Sequence, residues 1–173
     1  MGFIVFMGVA FGFFYAIEKT KNSSLGVVLL LAFTFFMGLM LSRLIGTVLG
    51  FRNGAQLIGM AFGGTAIIFF GMAALASAVK RDLSGLGKWL MIGALLAIVA
   101  GVANIWLQMP ALFLTISVLV MAIFSAFIVY DLKRVIDGGE TNYITATLAI
   151  YLDVFNVFQS LLSILGVLGG ERD

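Results

Sequence analysis

Residues 111–169 read ALFLTISVLVMAIFSAFIVY DLKRVIDGGETN YITATLAIYLDVFNVFQSLLSILGVLG, two apolar stretches joined by a short polar link. Each apolar stretch reaches the length of about 20 residues that a helix needs to cross a bilayer. Asp153 lies well inside the second stretch, and Asp131 closes the first. Because a carboxylate at the bilayer centre costs roughly 2.5 to 3.5 kcal/mol, Asp153 indicates a functional site.

The composition of the whole chain is that of a membrane protein. Of its 173 residues, 62% are hydrophobic and 10% are charged, and the mean hydropathy is +1.18. Soluble domains carry about 25% charged residues. The basic residues form no run or stripe, so nucleic-acid binding is not predicted. The sequence contains neither cysteine nor histidine, which excludes disulfides, Cys/His zinc sites and any catalytic triad that uses either residue.

Division of the sequence at its charged and turn-forming clusters predicts an all-α polytopic membrane protein. We expect a single transmembrane domain over residues 1–173, with six spans at approximately 2–17, 25–44, 55–79, 88–107, 111–136 and 141–169. The stretch Ile45 to Phe51, which follows the second span, is ambiguous and could lie in the membrane interface. A β-barrel is not expected, because runs such as Leu29 to Phe36 do not alternate between apolar and polar residues.

The distribution of basic residues predicts the orientation. Seven Lys and Arg residues fall on one side of the six spans and three on the other. Since cytoplasmic loops are enriched in Lys and Arg, the side with seven is expected to be cytoplasmic. Both termini would then lie outside, and the link 131–142 would face the cytoplasm.

Small residues recur at packing distance in two of the spans. Gly59 and Gly63 form a small-xxx-small pair in the third span, and Gly93, Ala97 and Gly101 form a longer series in the fourth. We expect internal close packing at both places rather than a dimer interface.

The last span has a polar face and a bulky face. At 100° per residue, one face collects small and polar residues, and the opposite side carries large apolar ones. The first set is Ala146, Ala149, Asp153, Asn156, Ser160 and Ser163, and the second is Tyr151, Phe155, Phe158 and Leu162. The pattern predicts that Asn156, Ser160 and Ser163 provide a polar lining that faces the bundle.

Asp131 is the nearest acidic partner available to Asp153. Two carboxylates that meet in a low dielectric cannot both ionise, so the pair would hold one proton between them. Such a pair could serve as a pH sensor, a cation site or an acid/base dyad. Helical rise places the two residues one to two turns out of register, so sequence alone does not establish the contact. The alternative is that Asp131 caps its helix at the interface beside Lys133 and Arg134.

The link reads as a tight helical hairpin. Gly138 and Gly139 suit the end of one helix, and Thr141 or Asn142 can cap the next.

At this hairpin the sequence resembles the Bax inhibitor-1 family, also called the transmembrane Bax inhibitor motif family. The link is most similar to that of the bacterial YccA branch. The residues that carry the resemblance are 127–132 (FIVYDL), the link motif Gly138, Gly139, Glu140, Thr141, Asn142 and Tyr143 with Ile144, and 150–156 (IYLDVFN), with 161–166, 63–66 and 103–105 in support.

The resemblance implies a seven-helix bundle around a central C-terminal helix. Here six spans are expected, with the first family helix and a cytoplasmic N-terminal tail missing before Met1. A bacterial inner membrane is implied as the location, with the C-terminus periplasmic.

The resemblance also implies two activities. Family members are associated with a pH-sensitive calcium leak governed by two aspartates, which here are Asp131 and Asp153, as proton-sharing sensor and as calcium-binding residues. The YccA branch is associated instead with restraint of the membrane protease FtsH. One departure concerns an arginine from an early helix that latches the aspartates of the leak members, since no arginine precedes Arg43 in this chain.

The sequence therefore favours a non-enzymatic cation leak, with FtsH modulation as the alternative. The expected partners are the lipid bilayer, calcium or protons, and FtsH, and no cofactor is expected beyond a calcium ion. An intramembrane aspartyl protease is a minor alternative, because two aspartates on adjacent helices meet its bare chemical requirement. The Gly-x-Gly-Asp pattern is absent at Asp153, and Pro110-Ala111-Leu112 precedes both aspartates instead of following them.

Overall fold

The computed structural model describes residues 2–172, which form six α-helices and no strand. All six are long and apolar enough to cross a membrane. The helices are α1 (Phe3–Thr20), α2 (Ser24–Leu49), α3 (Gly54–Ala78), α4 (Leu86–Leu107), α5 (Pro110–Ile136) and α6 (Tyr143–Gly169). The all-α polytopic prediction is confirmed.

Several helices begin or end away from the positions expected from sequence. α1 continues to Thr20, and α2 runs through the ambiguous stretch to Leu49. Within the added part of α2, the Thr47 hydroxyl donates to the Arg43 carbonyl at 2.9 Å, so this polar side chain is satisfied inside the helix. α6 begins at Tyr143, two residues later than expected, because Asn142 serves as its N-cap.

The bundle is built around α6, which packs against α5, α3 and α2. One apolar cluster joins α6 to α1 and α2 around the buried Phe33 and Ile144. A second joins it to α2 and α3, where Phe158 and Leu162 are buried. The bulky face of α6 therefore packs on other apolar helices, and the expectation of a central last helix is confirmed. α4 lies at the edge of the bundle and packs mainly on α5.

Asparagine side chains fasten both ends of α6 to the loops that flank α2. At the end nearest the link, Asn142 Nδ2 donates to the Lys21 carbonyl at 3.0 Å and to Asn22 Oδ1 at 2.9 Å. At the other end, Asn53 Nδ2 donates to the Gly169 carbonyl at 2.6 Å. Asn53 Oδ1 also accepts from the amide of Glu171 at 3.0 Å.

The small residues of α3 do not pack as expected. A Cβ atom at Gly59 or Gly63 would meet nothing within 4 Å, so the prediction of internal packing is wrong for this pair. The reason is helical phase: the buried side of α3 carries Leu57, Ala61 and Thr65, and a position two residues away points to the opposite side. In α4 the expectation is correct at Gly93, where a Cβ would lie 3.2 Å from Ile123 of α5, and wrong at Gly101, where a Cβ would meet nothing within 4 Å.

Candidate functional site

The carboxyl groups of Asp131 and Asp153 face each other across the packed interface of α5 and α6, close enough for a hydrogen bond when one of them carries a proton. Asp153 is only 3% exposed, and it lies within the most buried of the six spans. The two acids that the sequence singled out therefore form one dyad, in which Asp153 is buried and Asp131 is partly buried.

The hydrogen-bonding of this dyad is incomplete without an added proton or cation. Asp153 Oδ2 is buried, and within residues 2–172 no group donates a hydrogen bond to it. The group that it does meet is another carboxyl, which is an acceptor unless it carries a proton. A proton held between the two carboxyls supplies the missing donor, and a cation supplies the missing positive charge.

The contact resolves the register question left by the sequence. Asp131 lies about 7.5 Å before the end of α5, and Asp153 about 15 Å after the start of α6, at the helical rise of 1.5 Å per residue. The two side chains can meet only if α6 begins further from the membrane centre than α5 ends, or if the helices tilt. The six residues between Ile136 and Tyr143 give the chain the length for this offset.

The link motif is organised by hydrogen bonds to the end of α5. Gly138 adopts a left-handed φ of 76°, which favours glycine. The amides of Gly139 and Glu140 then both donate to the Arg134 carbonyl, at 2.8 and 3.1 Å. Asn142 Oδ1 accepts from the amides of Ile144 and Thr145, so Asn142 is the cap that starts α6.

Charged side chains surround the dyad on the side of the membrane where the link lies. Arg134 Nη1 is 3.5 Å from Asp131 Oδ1, and Arg134 Nη2 is 3.6 Å from Glu140 Oε2. Lys133 bonds to Asp137 at 2.9 Å. Asp131 does not cap α5, because the helix continues to Ile136 and Asp137 is its C-cap. Asp131 instead pairs with Arg134 and meets Asp153.

An open cavity of about 710 Å³ lies in the half of the bundle away from the link. It is bounded by α1, α2, α4, α5 and α6, mostly through apolar side chains. Its polar lining residues are Ser117, Asn156, Gln159, Ser160 and Ser163. Asn156, Ser160 and Ser163 therefore line a cavity, as the polar stripe suggested. Asn156 is one helical turn from Asp153, so the cavity ends just short of the dyad.

Two features of the site were not recognised from sequence. The first is the pairing of Arg134 with both Asp131 and Glu140, although the three-residue spacing of Asp131 and Arg134 is a helical pairing signal. The second is Ser117, which lines the cavity from α5 and lies two residues after Thr115 in an otherwise apolar run.

The dyad offers at most four carboxylate oxygens, fewer than the six to eight ligands that Ca²⁺ usually takes. Within residues 2–172, no group of three or more acidic, cysteine or histidine residues is arranged to hold a metal ion. A calcium ion at Asp131 and Asp153 would therefore keep several water ligands and would bind only transiently.

Comparison with known proteins gives matches along nearly the whole chain. The family model described as inhibitor of apoptosis-promoting Bax1 matches residues 1–170. The modulator of FtsH protease YccA of Escherichia coli strain K12 is 41% identical over 165 residues, which cover 95% of this chain and 75% of that protein.

Two further relatives match over nearly the whole chain. A protein of Neisseria meningitidis is 40% identical over 171 residues, covering 99% of this chain and 75% of the relative. A protein of Pseudomonas aeruginosa is 37% identical over 169 residues, covering 98% and 76%. Given the length of the family match and these identities, the chain is a multi-pass membrane protein that belongs to the Bax inhibitor family.

Proposed function

We propose that this protein is a proton-controlled cation leak in which Asp131 and Asp153 form the sensor. The observation that carries the proposal is the buried contact of the two carboxyls, with one oxygen that lacks a donor. Structural stabilisation does not require this arrangement, because an asparagine at either position would satisfy the same contact with its amide donor. An ionisable pair adds the capacity to change charge.

The chemistry of the pair sets the direction of the pH response. With one proton between them, the carboxyls share a hydrogen bond that ties α5 to α6. When that proton leaves, two like charges face each other in a low dielectric, so they repel and attract a cation. The cation flux is therefore expected to increase as the pH rises. Asn156, Ser160 and Ser163 provide oxygen atoms along the path from the cavity to the dyad.

The orientation follows from the distribution of basic residues. We infer that the link lies in the cytoplasm and the C-terminus in the periplasm of a bacterial inner membrane. The dyad would then lie between a cytoplasmic entry beside the link and a cavity open toward the periplasm.

The direct test is calcium flux into liposomes of phosphatidylethanolamine and phosphatidylglycerol that contain the purified chain and an entrapped calcium indicator. The unchanged protein should show a flux that rises in a single step with pH. Asp153→Asn should remove the step, because the amide donates to Asp131 at every pH. Asp137→Asn is the matched control, since Asp137 is a half-exposed acid of the same hairpin that pairs with Lys133. Flux with an unchanged pH midpoint in Asp153→Asn would overturn the proposal.

A second candidate function is modulation of a membrane protease. It is favoured by the 41% identity to the E. coli protein named as a modulator of FtsH protease. Because this match covers 95% of the chain, FtsH is a reasonable candidate partner. This second function does not require the Asp131–Asp153 dyad.

Recovery of FtsH with the tagged chain from bacterial membranes would test this second function, with E. coli YccA as the positive control. Slower degradation of an FtsH substrate in the presence of the chain would support it. If YccA recovers the protease and this chain does not, the second candidate is excluded.

The geometry gives less support to an intramembrane aspartyl protease. Neither aspartate is among the residues that line the cavity, and Asp153 is buried, so the site lacks room for a peptide bond and a water beside the carboxyls. Absence of cleavage products from transmembrane peptides incubated with the liposomes is the expected result.

A further inference from the structure

The approach to the dyad from the link is lined by charged groups of decreasing exposure. The Arg134 side chain is 41% exposed, that of Glu140 is 16% exposed and that of Asp131 is 12% exposed. Asp153 is buried beyond them. A cation that reaches the dyad from this side therefore passes Arg134 first.

The guanidinium of Arg134 lies between two competing carboxylates. Its Nη1 is 3.5 Å from Asp131, and its Nη2 is 3.6 Å from Glu140. Both distances are longer than that of a close charge-assisted hydrogen bond, which is about 2.7 to 2.9 Å. Arg134 is thus shared between the sensor and the link, and neither carboxylate holds it tightly.

The link places Glu140 for this purpose. The left-handed turn at Gly138 folds the chain back so that the Glu140 amide donates to the Arg134 carbonyl. Glu140 Oε1 accepts from the amide of Asn142 at 3.0 Å, which leaves Oε2 to face the guanidinium. The two oxygens have separate partners, and the side chain is fixed from both ends.

Tyr130 holds the guanidinium from a third direction. Arg134 Cζ lies 5.6 Å from the centre of the Tyr130 ring, within the range of a cation–π contact. The ring lies against α4 at Gly87, where an added Cβ atom would collide with Tyr130 Cζ. The absence of a side chain at Gly87 thus makes room for the ring beside Arg134.

We propose that Arg134 is a tethered cation that competes with the permeating cation for Asp131, and that Glu140 weakens this competition by drawing Arg134 away. Arg134 and Glu140 are positioning residues that act through Asp131. The inference rests on the proposed cation leak, and it adds a residue pair that sets the apparent affinity of the site.

Competition predicts opposite effects of the two substitutions. Arg134→Gln removes the competing cation, so the calcium concentration for half-maximal flux should fall by about two- to fivefold, the range expected for a partly exposed ion pair. Glu140→Gln removes the carboxylate that draws Arg134 away from Asp131, so Arg134 should compete more strongly. The calcium concentration for half-maximal flux should then rise by about two- to fivefold. The maximal flux should stay unchanged in both variants, because competition affects only the affinity.

The experiment measures flux against calcium concentration in the liposomes described above, at one pH where the unchanged protein conducts. Arg134→Lys keeps the charge and should restore the behaviour of the unchanged protein. Asp137→Asn removes a carboxylate of the same hairpin that pairs with Lys133, and it should leave the half-maximal concentration unchanged. Size-exclusion elution identifies any variant that fails to fold. If Arg134→Gln or Glu140→Gln fails to fold, the shift of the half-maximal concentration in the other variant tests the inference.

The outcomes separate this inference from the proposed function. Opposite shifts in Arg134→Gln and Glu140→Gln support the tethered cation. Loss of maximal flux in both variants without a shift in half-maximal concentration indicates a structural role and overturns it. If the flux depends on Asp153 but not on Arg134 or Glu140, this inference alone fails. If the unchanged protein passes no calcium, both fail.

Discussion

Asn142 joins three parts of the molecule through one amide side chain, and its replacement should destabilise the bundle by a predictable amount. Its Oδ1 caps α6 by accepting from the amides of Ile144 and Thr145. Its Nδ2 donates to the Lys21 carbonyl and to Asn22 Oδ1, in the loop between α1 and α2. Asn142→Ala removes all four interactions.

The cost can be divided between the two ends of the amide. Loss of a helix N-cap costs about 1 kcal/mol. Each of the two donated hydrogen bonds contributes about 0.5 kcal/mol at a partly exposed position. The Asn142→Ala substitution should therefore lower the free energy of unfolding by about 2 kcal/mol. Asn142→Asp keeps the cap acceptor and loses only the donors, so it should cost about 1 kcal/mol.

The assay is unfolding of the purified protein in mixed micelles of increasing dodecyl sulfate content, followed by helical circular dichroism. The expected order of stability is unchanged protein, then Asn142→Asp, then Asn142→Ala. Asn22→Ala, which removes one acceptor, should lie between the first two. The reasoning is refuted if Asn142→Asp loses as much as Asn142→Ala, because the cap would then contribute nothing, or if Asn142→Ala is as stable as the unchanged protein.

Three further substitutions test other parts of the structure. Gly138→Ala should cost about 1 to 2 kcal/mol in the same unfolding assay, because an alanine is strained at the left-handed φ of 76°; equal stability would show that the turn is not required. Asn53→Ala removes the two hydrogen bonds that hold the end of α6 and should cost about 1 to 3 kcal/mol, measured likewise. Hydrogen bonds from the backbone amide and the hydroxyl of Ser84 lower the pKa of Asp82 below 3.8. Because the pKa of Asp82 is lower in the folded state, its ionised form contributes stability above pH 3.8, and this stability is lost as the pH falls through the folded-state pKa. Asp82→Asn should therefore lose less stability than the unchanged protein on acidification. Identical stability profiles of the two proteins in acid would contradict this.

The spans could be predicted from the sequence because a bilayer imposes a length and an apolar composition on each helix. The first and last residues of the helices were less predictable, because local hydrogen bonds determine where a helix begins and ends. The end of α2 shows this: Gly46 weakens the helical pattern, yet the helix continues to Leu49 and ends at Gly50, whose amide donates back to the Gly46 and Thr47 carbonyls. The outward position of Gly59 could not be predicted from the sequence either, because it depends on which side of α3 packs against the bundle.

The two acids could be singled out from the sequence, but their contact could not be predicted. Asp153 drew attention because burial of an acid in lipid is costly, and Asp131 followed as its nearest partner. Their contact depends on the offset between two helices, which no residue pattern encodes directly. The choice of Arg134 over Lys133 as the partner of Asp131 likewise depends on the direction in which each side chain leaves the last turns of α5.

The two asparagine ties have a mechanical consequence. With its ends fastened to the loops on either side of α2, α6 cannot slide along its axis without breaking hydrogen bonds at Asn142 or at Asn53. These bonds therefore hold α2 and α6 in a fixed axial register. A piston movement of α6 relative to α2 would therefore cost hydrogen bonds at both ends of the helix.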